Sequence, residues 1–385
     1  MHLVCSVLVY KFSLTLGLKS IEAFLAAIIF SVLSCHAEAL FFINCVNELF
    51  SAAFILTGLY WFIKYDSDKY TVAIIFTFLL ALLSRESAIC YIPLLLLVKL
   101  KAPARSRNNT ALILIIPVLL YIAFRIFAEI NYGETGARLS FEQLDLNPAK
   151  IIYRLFHYFT NMILPVKFLF EFIGFDSLEV LVNAFKRPSE NLTVFLGLSI
   201  MVSLIFGTLI YFFVRILKKD IIFPLLFIFF SLAIYLFSLN TAERFLYLPS
   251  AGLCILLAMI FSKINNRKIA VILISLFIII HSTSLIFRSY RHKQAAVYSR
   301  EVIKDLSEKT SQVSAGSAIL FENIPPKKFG IFFLSPYNFQ SNWDYNYPDK
   351  KLKLLFSQTL SSNVLDSIDA VYRFEDAKSS FERIK

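Results

Sequence analysis

Apolar runs approaching 20 residues recur through the first three-quarters of this chain, and that recurrence most constrains what it can become. A helix of roughly 20 residues matches the hydrocarbon thickness of a bilayer, and within lipid the backbone must satisfy its own polar groups. Ten spans follow from the pattern: 2–18, 21–36, 46–63, 70–84, 87–99, 111–130, 193–214, 221–239, 246–262 and 268–288. Composition agrees. Of 385 residues, 58% are hydrophobic and only 17% charged, against about 25% charged in soluble domains. Residues 1–18 are apolar but have neither a basic start nor a small-residue cleavage site, so they read as a retained span and not as a leader.

The net charge of +11 does not point to nucleic acid, because no basic stripe interleaved with aromatics is present. It gathers instead in one set of alternate loops, at Lys19, Lys64, Lys69, Lys99, Arg105, Arg215, Lys218, Lys263 and Arg267. By the positive-inside rule these loops are expected to be cytoplasmic. Parity then bears on 151–174, an apolar segment split by Pro165. If it crossed, one strongly basic loop would face outward. It is expected to enter and return, or to lie at the interface. The five cysteines (Cys5, Cys35, Cys45, Cys90, Cys254) lie in or beside apolar segments without metal spacing and read as small hydrophobes.

Past about residue 289 charges become frequent. Residues 293–309 have the pattern of an amphipathic helix; Val313 to Leu320 and Gly330 to Leu334 read as strands around Asn323-Ile324-Pro325-Pro326. The expected fold is therefore an all-α polytopic membrane domain, 1–289, followed by a small extracytoplasmic α/β domain, 290–385. No internal repeat is visible.

Orientation gives meaning to the few ionisable residues in or beside the spans. His36 and Glu38, Glu48, Arg85-Glu86, Arg125 and Glu129, and Glu243-Arg244 all fall at the outward ends. Such residues are costly in lipid and mark functional sites. Each also has a plain reading. Arg85-Glu86 reads as an interfacial pair, and Glu243 as a helix-capping acid. Arg125 can snorkel, His36 can be a solvated loop residue, and Glu48 can reach water one turn from the interface. Tyr153, Phe156, His157, Tyr158 and Phe159 read as an interfacial belt or as a wall for a sugar or prenyl chain. Convergence of acids and arginines on one level favours chemistry: a base to deprotonate an acceptor, and guanidiniums to grip a phosphate.

The run Thr241-Ala242-Glu243-Arg244-Phe245-Leu246-Tyr247-Leu248-Pro249-Ser250-Ala251-Gly252 resembles a signature of the transmembrane O-mannosyltransferase-like family and its bacterial relatives. Leu83-Ser84-Arg85-Glu86, His36-Ala37-Glu38-Ala39 and Glu48-Leu49 are similar to further segments of that family, in the same order. The resemblance implies a GT-C fold and a glycosyltransferase. Such an enzyme moves a sugar from a polyprenyl-phosphate donor to a protein, lipid or glycan hydroxyl on the outer face. It implies a bacterial inner membrane with a periplasmic C-terminal domain, or the ER membrane in a eukaryote. Glu38, Glu86 and Glu243 are then the candidate catalytic acids, and His36, Arg85, Arg125, Arg244 and Tyr247 the candidate substrate-binding residues. A divalent metal is left open, since one His and scattered Glu residues make no recognisable site. The chain departs from the family in three ways. It lacks the first span and its acidic loop, as though it began after them. Val46 stands where relatives often have Arg, and tetratricopeptide repeats are absent. A truncated or inactive member is one reading of this. A transporter or flippase for lipid-linked sugars and a nonenzymatic scaffold remain the alternatives.

Overall fold

The computed structural model describes residues 1–65, 70–101, 110–132, 145–165, 219–238, 241–310, 313–314, 316–322, 327–328, 331–332, 352–356, 370–375 and 380–383, with isolated positions at 168, 200 and 204. The protein is mostly helical, with a small sheet near the C-terminus. Contacts divide it into two compact units, Met1–Ile286 and Phe287–Lys385.

In the first unit the helices are α1 (His2–Thr15), α2 (Ser20–Val32), α3 (Ala37–Phe41), α4 (Val46–Lys64), α5 (Thr71–Ser84), α6 (Tyr91–Lys101), α7 (Thr110–Tyr132), α8 (Pro148–Ile163), α9 (Lys219–Leu236), α10 (Pro249–Ser262) and the start of α11 (Arg267–Lys309). Among the described residues, α4, α7 up to Ala128, and α11 are long and apolar enough to cross a membrane. The pair Ser20–Val32 and Ser34–Phe41, bent by 50°, makes a fourth if it is one broken span. The apolar helices His2–Thr15, Thr71–Ser84, Ile221–Leu236 and Pro249–Ser262 are shorter. The expected span 193–214 lies outside the described residues apart from positions 200 and 204.

Three breaks position the ionisable residues at one end of the helices. Leu33 leaves helical geometry at φ −59°, ψ 124°, so the chain turns before His36 and Glu38. Arg85 is extended at φ −160°, ψ 132° and ends α5. Ala242 is extended at φ −139°, ψ 141°, ahead of a 3-10 turn over Glu243–Leu246. Pro249 sits in the first turn of α10, where its missing N–H costs nothing. Lys19, Lys64, Lys99 and Lys263 fall at the opposite ends of the same helices.

Two glycines explain close helix packing. A Cβ on Gly58 of α4 would overlap the Tyr91 hydroxyl and stand 2.5 Å from Thr77 Oγ1. A Cβ on Gly252 of α10 would stand 2.9 Å from the Pro224 carbonyl oxygen of α9. Contacts among small residues are how helices associate when lipid removes the hydrophobic drive.

Helix α8 is amphipathic and ends just before Pro165. Its docking rests on Arg154, which is 4% exposed. Arg154 Nη1 donates to the Leu236 carbonyl at 2.9 Å and Nη2 to Asp145 Oδ2 at 2.6 Å. The guanidinium therefore satisfies a carbonyl at the C-terminus of α9, where a cation is favoured.

In the second unit, β1 (Ala318–Glu322) lies between β4 (Lys353–Phe356) and β5 (Ala370–Glu375), parallel to both, and β6 (Ser380–Arg383) runs antiparallel to β5. The short strands β2 (Lys327–Lys328) and β3 (Ile331–Phe332) pair separately. Tyr298, Val302 and Leu306 form one stripe of α11 at helical spacing and pack with Ile319, Phe321, Leu354, Tyr372 and Phe374. The amphipathic helix expected over 293–309 and the last span are thus one continuous helix. Strand β1 begins and ends later than the pattern over Val313 to Leu320 implies.

Candidate functional site

Arg85 and Glu86, adjacent and of opposite charge, pair with different helices. Side chains on either side of an extended residue point apart, and Arg85 is extended. Its Nε lies 3.1 Å from Glu48 Oε1 across on α4. Glu86 turns instead toward Arg125 on α7, at 3.7 Å and largely exposed. Such an exposed pair contributes at most about 1 kcal/mol.

Glu38 makes the densest set of contacts. Its Oε2 accepts from the backbone N–H groups of Glu243 at 2.9 Å and Arg244 at 3.2 Å. Its Oε1 accepts from Arg244 Nη1 at 2.9 Å. The carboxylate thus caps the 3-10 turn from another helix and holds its arginine at the same time. Arg244 Nη1 also points to Cys45 Sγ at 3.7 Å.

Phe245 joins the two arginines. The Arg85 guanidinium lies 5.6 Å, and that of Arg244 5.2 Å, from its ring centroid, within cation–π range. Tyr235 stacks on the ring at 4.2 Å and donates its hydroxyl to Ser87 Oγ at 2.6 Å. Among the described residues, the terminal nitrogens of Arg85 make no hydrogen bond, and Nη1 is the only side-chain nitrogen of Arg244 that does. An arginine carries five N–H donors, so both keep donors for an anion. Beside Glu48 a cavity of about 10 Å³ is lined also by Ser51, Ser87, Ser231, Tyr235 and Phe245, room for about one water.

The remaining expected site residues are placed differently. His36 is fully buried, and its Nε2 bonds Ser250 Oγ at 2.7 Å. Tyr247 is also buried, and its hydroxyl meets His2 Nδ1 at 2.7 Å. With Phe30 these rings form one aromatic cluster. Tyr247 and Ser250 of the Leu-Tyr-Leu-Pro-Ser run therefore tie α10 to the first helices. Glu243 is buried at the start of its turn. The side chain of Glu129 lies outside what the structure describes. Glu48 is only 6% exposed, which rules out its plain reading as an acid that reaches water, because Arg85 and the α5–α6 break cover it.

Three imidazoles have tautomers set by their partners: the expected site residue His36, and His2 and His281, which the sequence pattern does not mark. His2 Nε2 meets the Ser31 carbonyl, which only accepts, so Nε2 carries the proton and Nδ1 accepts from Tyr247. Ser250 Oγ donates to the Tyr247 carbonyl and so accepts from His36 Nε2. The Ser34 N–H donates to His281 Nδ1 at 3.2 Å, and His281 Nε2 donates to the Ile163 carbonyl at 3.1 Å. His281 thereby joins the break in α2–α3 to the end of α8. Nothing at Ser34 or His281 forms a local motif, so no sequence signal marks the link.

Among the described residues, no group of three or more His, Cys, Asp or Glu is placed to hold a metal. No protein-family model matches the chain, and neither a curated protein nor a solved structure is significantly similar to it.

Proposed function

We propose that the chain is a membrane glycosyltransferase that moves a sugar from a polyprenyl-phosphate donor to a hydroxyl on protein, lipid or glycan, on the face away from the cytoplasm of a bacterial inner membrane. One observation carries the reading. Arg85 and Arg244 flank a single aromatic ring with unused donors, at the end of the helices that also gathers Glu38, Glu48 and Glu86. The similarity of residues 241–252 to the O-mannosyltransferase-like signature supplies the reaction class.

In this reading the two guanidiniums grip the donor phosphate and stabilise the charge it gains as it leaves. Glu38 and Glu48 hold them in place. Glu86 is about half exposed and is the acid with access to an acceptor. The acceptor oxygen attacks the anomeric carbon, its proton passes to Glu86, and the bond to the phosphate oxygen breaks with the electron pair staying on phosphate. Arg125, 3.7 Å away, orients the Glu86 carboxylate.

The test uses the full chain in nanodiscs with a polyprenyl phosphate and its sugar ester. Arg85→Met is expected to weaken binding of the phosphate by about 10- to 100-fold, the worth of one charge-assisted contact. Glu86→Gln is expected to preserve binding and abolish release of polyprenyl phosphate. Binding no tighter than that of the uncharged polyprenol would overturn the proposal and favour a scaffold.

A further inference from the structure

A second cleft lies at the other end of the helices. It measures about 210 Å³ and sits between the α1–α2 turn and the facing ends of α9 and α10. Its apolar lining includes Leu18, Phe223, Pro224, Ile255 and Met259, and Glu22 and Lys263 supply one charge of each sign. Gly17 opens the mouth. It has φ +92° and nothing within 4 Å of where a Cβ would stand, so the space beside it is unfilled, and a larger residue there would be strained.

The two charges do not neutralise each other. Glu22 Oε2 accepts the Lys19 N–H at 3.0 Å and closes a capping box on α2, which leaves its other oxygen without a partner among the described residues. Lys263 is exposed just past the end of α10 and makes no ion pair among them. A carboxylate with one free oxygen and an ammonium with no ion pair, both among the described residues, therefore stand over an apolar floor, where four apolar helices begin or end.

We infer that this cleft binds one zwitterionic phospholipid with a primary ammonium headgroup, of the ethanolamine type. Its ammonium donates to the free Glu22 oxygen and its phosphate accepts from Lys263. Its acyl chain lies along Phe223, Pro224 and Met259. An anionic lipid would meet the Glu22 charge. A quaternary choline headgroup has no N–H to give that carboxylate. A soluble phosphoethanolamine has nothing to cover the apolar floor. The inference is independent of the reaction proposed at the opposite end.

The full chain is placed in nanodiscs of phosphatidylcholine alone, or with phosphatidylethanolamine or phosphatidylglycerol added, and its thermal midpoint and lipid retention by native mass spectrometry are measured. The expected result is a higher midpoint and one retained lipid with phosphatidylethanolamine only. Glu22→Gln keeps an oxygen to cap α2, so the helix persists, while Lys263→Met removes only an exposed charge. Each is expected to weaken retention by about tenfold, the loss of one charge-assisted hydrogen bond. Lys268→Met, a nearby basic residue that does not line the cleft, should leave retention unchanged. Equal midpoints with all three lipids, full retention in both cleft variants, or equal stabilisation by soluble phosphoethanolamine would each overturn the inference.

Discussion

Replacing Glu38 tests the core of the candidate site most directly. Its carboxylate accepts three hydrogen bonds, two from backbone N–H groups at the start of the Glu243–Leu246 turn and one from Arg244. Glu38→Ala removes all three. Losing a side-chain cap costs about 0.5–2 kcal/mol, and losing a bond to a charged group about 1.5–3 kcal/mol. Water recovers part of this, because the Arg244 and Glu38 side chains are 31% and 23% exposed. The expected cost is about 3 kcal/mol. Glu38→Gln keeps an oxygen for the cap and gives up the charge, for about 1 kcal/mol. Arg244→Ala combined with Glu38→Ala should be less damaging than the two separate losses together, with a coupling of about 1–2 kcal/mol. The assay is reversible unfolding in mixed micelles. Equal losses for Glu38→Ala and Glu38→Gln, or strict additivity with Arg244→Ala, would refute the double role of this carboxylate.

Other predictions follow from packing and charge. Gly58→Ala should cost about 1–3 kcal/mol by overpacking, and Tyr91→Phe in that background should recover part of it, read from the unfolding midpoint. His281→Ala should speed hydrogen exchange at the Ser34 amide, since it strands a buried N–H worth about 1–3 kcal/mol, and His281→Gln should slow it again. Asp145 is held at about 2, below its usual 3.8, first by Lys150 and then by Arg154. Because the folded value is the lower one, the stability it lends α8 is complete above pH 4 and drains as pH falls toward 2. Exchange of the α8 amides should rise over that window, and Asp145→Asn should flatten the profile.

Much of the helical plan is legible in the apolar runs. The run over 46–63 becomes α4 almost residue for residue, because a long apolar stretch ended by Lys64 leaves little freedom in where the helix stops. The first part of the apolar segment 151–174 lies in the amphipathic helix α8, but the pattern does not show its anchor. Arg154 has no local partner in the sequence pattern; its acceptors are Asp145 and a carbonyl 82 residues away. The plain reading of Glu48 as an acid that reaches water fails for the same reason. Periodicity places it on a helix end, but only the tertiary fold brings Arg85 over it. The Tyr247–Ser250 stretch stood out in sequence through resemblance. Its contacts with His2 and His36 give it a packing role that no local pattern could separate from a binding one.

The division of work between the oxygens of Glu38 bears on whether this end of the protein can bind an anion at all. If one oxygen served both the turn and Arg244, a phosphate drawing the arginine away would also loosen the turn that presents it. Instead Oε2 serves the backbone and Oε1 the guanidinium. An incoming phosphate can take Nη2 of Arg244, whose Nε is buried, or compete for Nη1, while the cap persists. Arg85 follows the same logic through Nε alone, with Phe245 as the shared surface. Each arginine is thus held by one nitrogen while keeping a further nitrogen available, so an anion could engage it without loosening the turn.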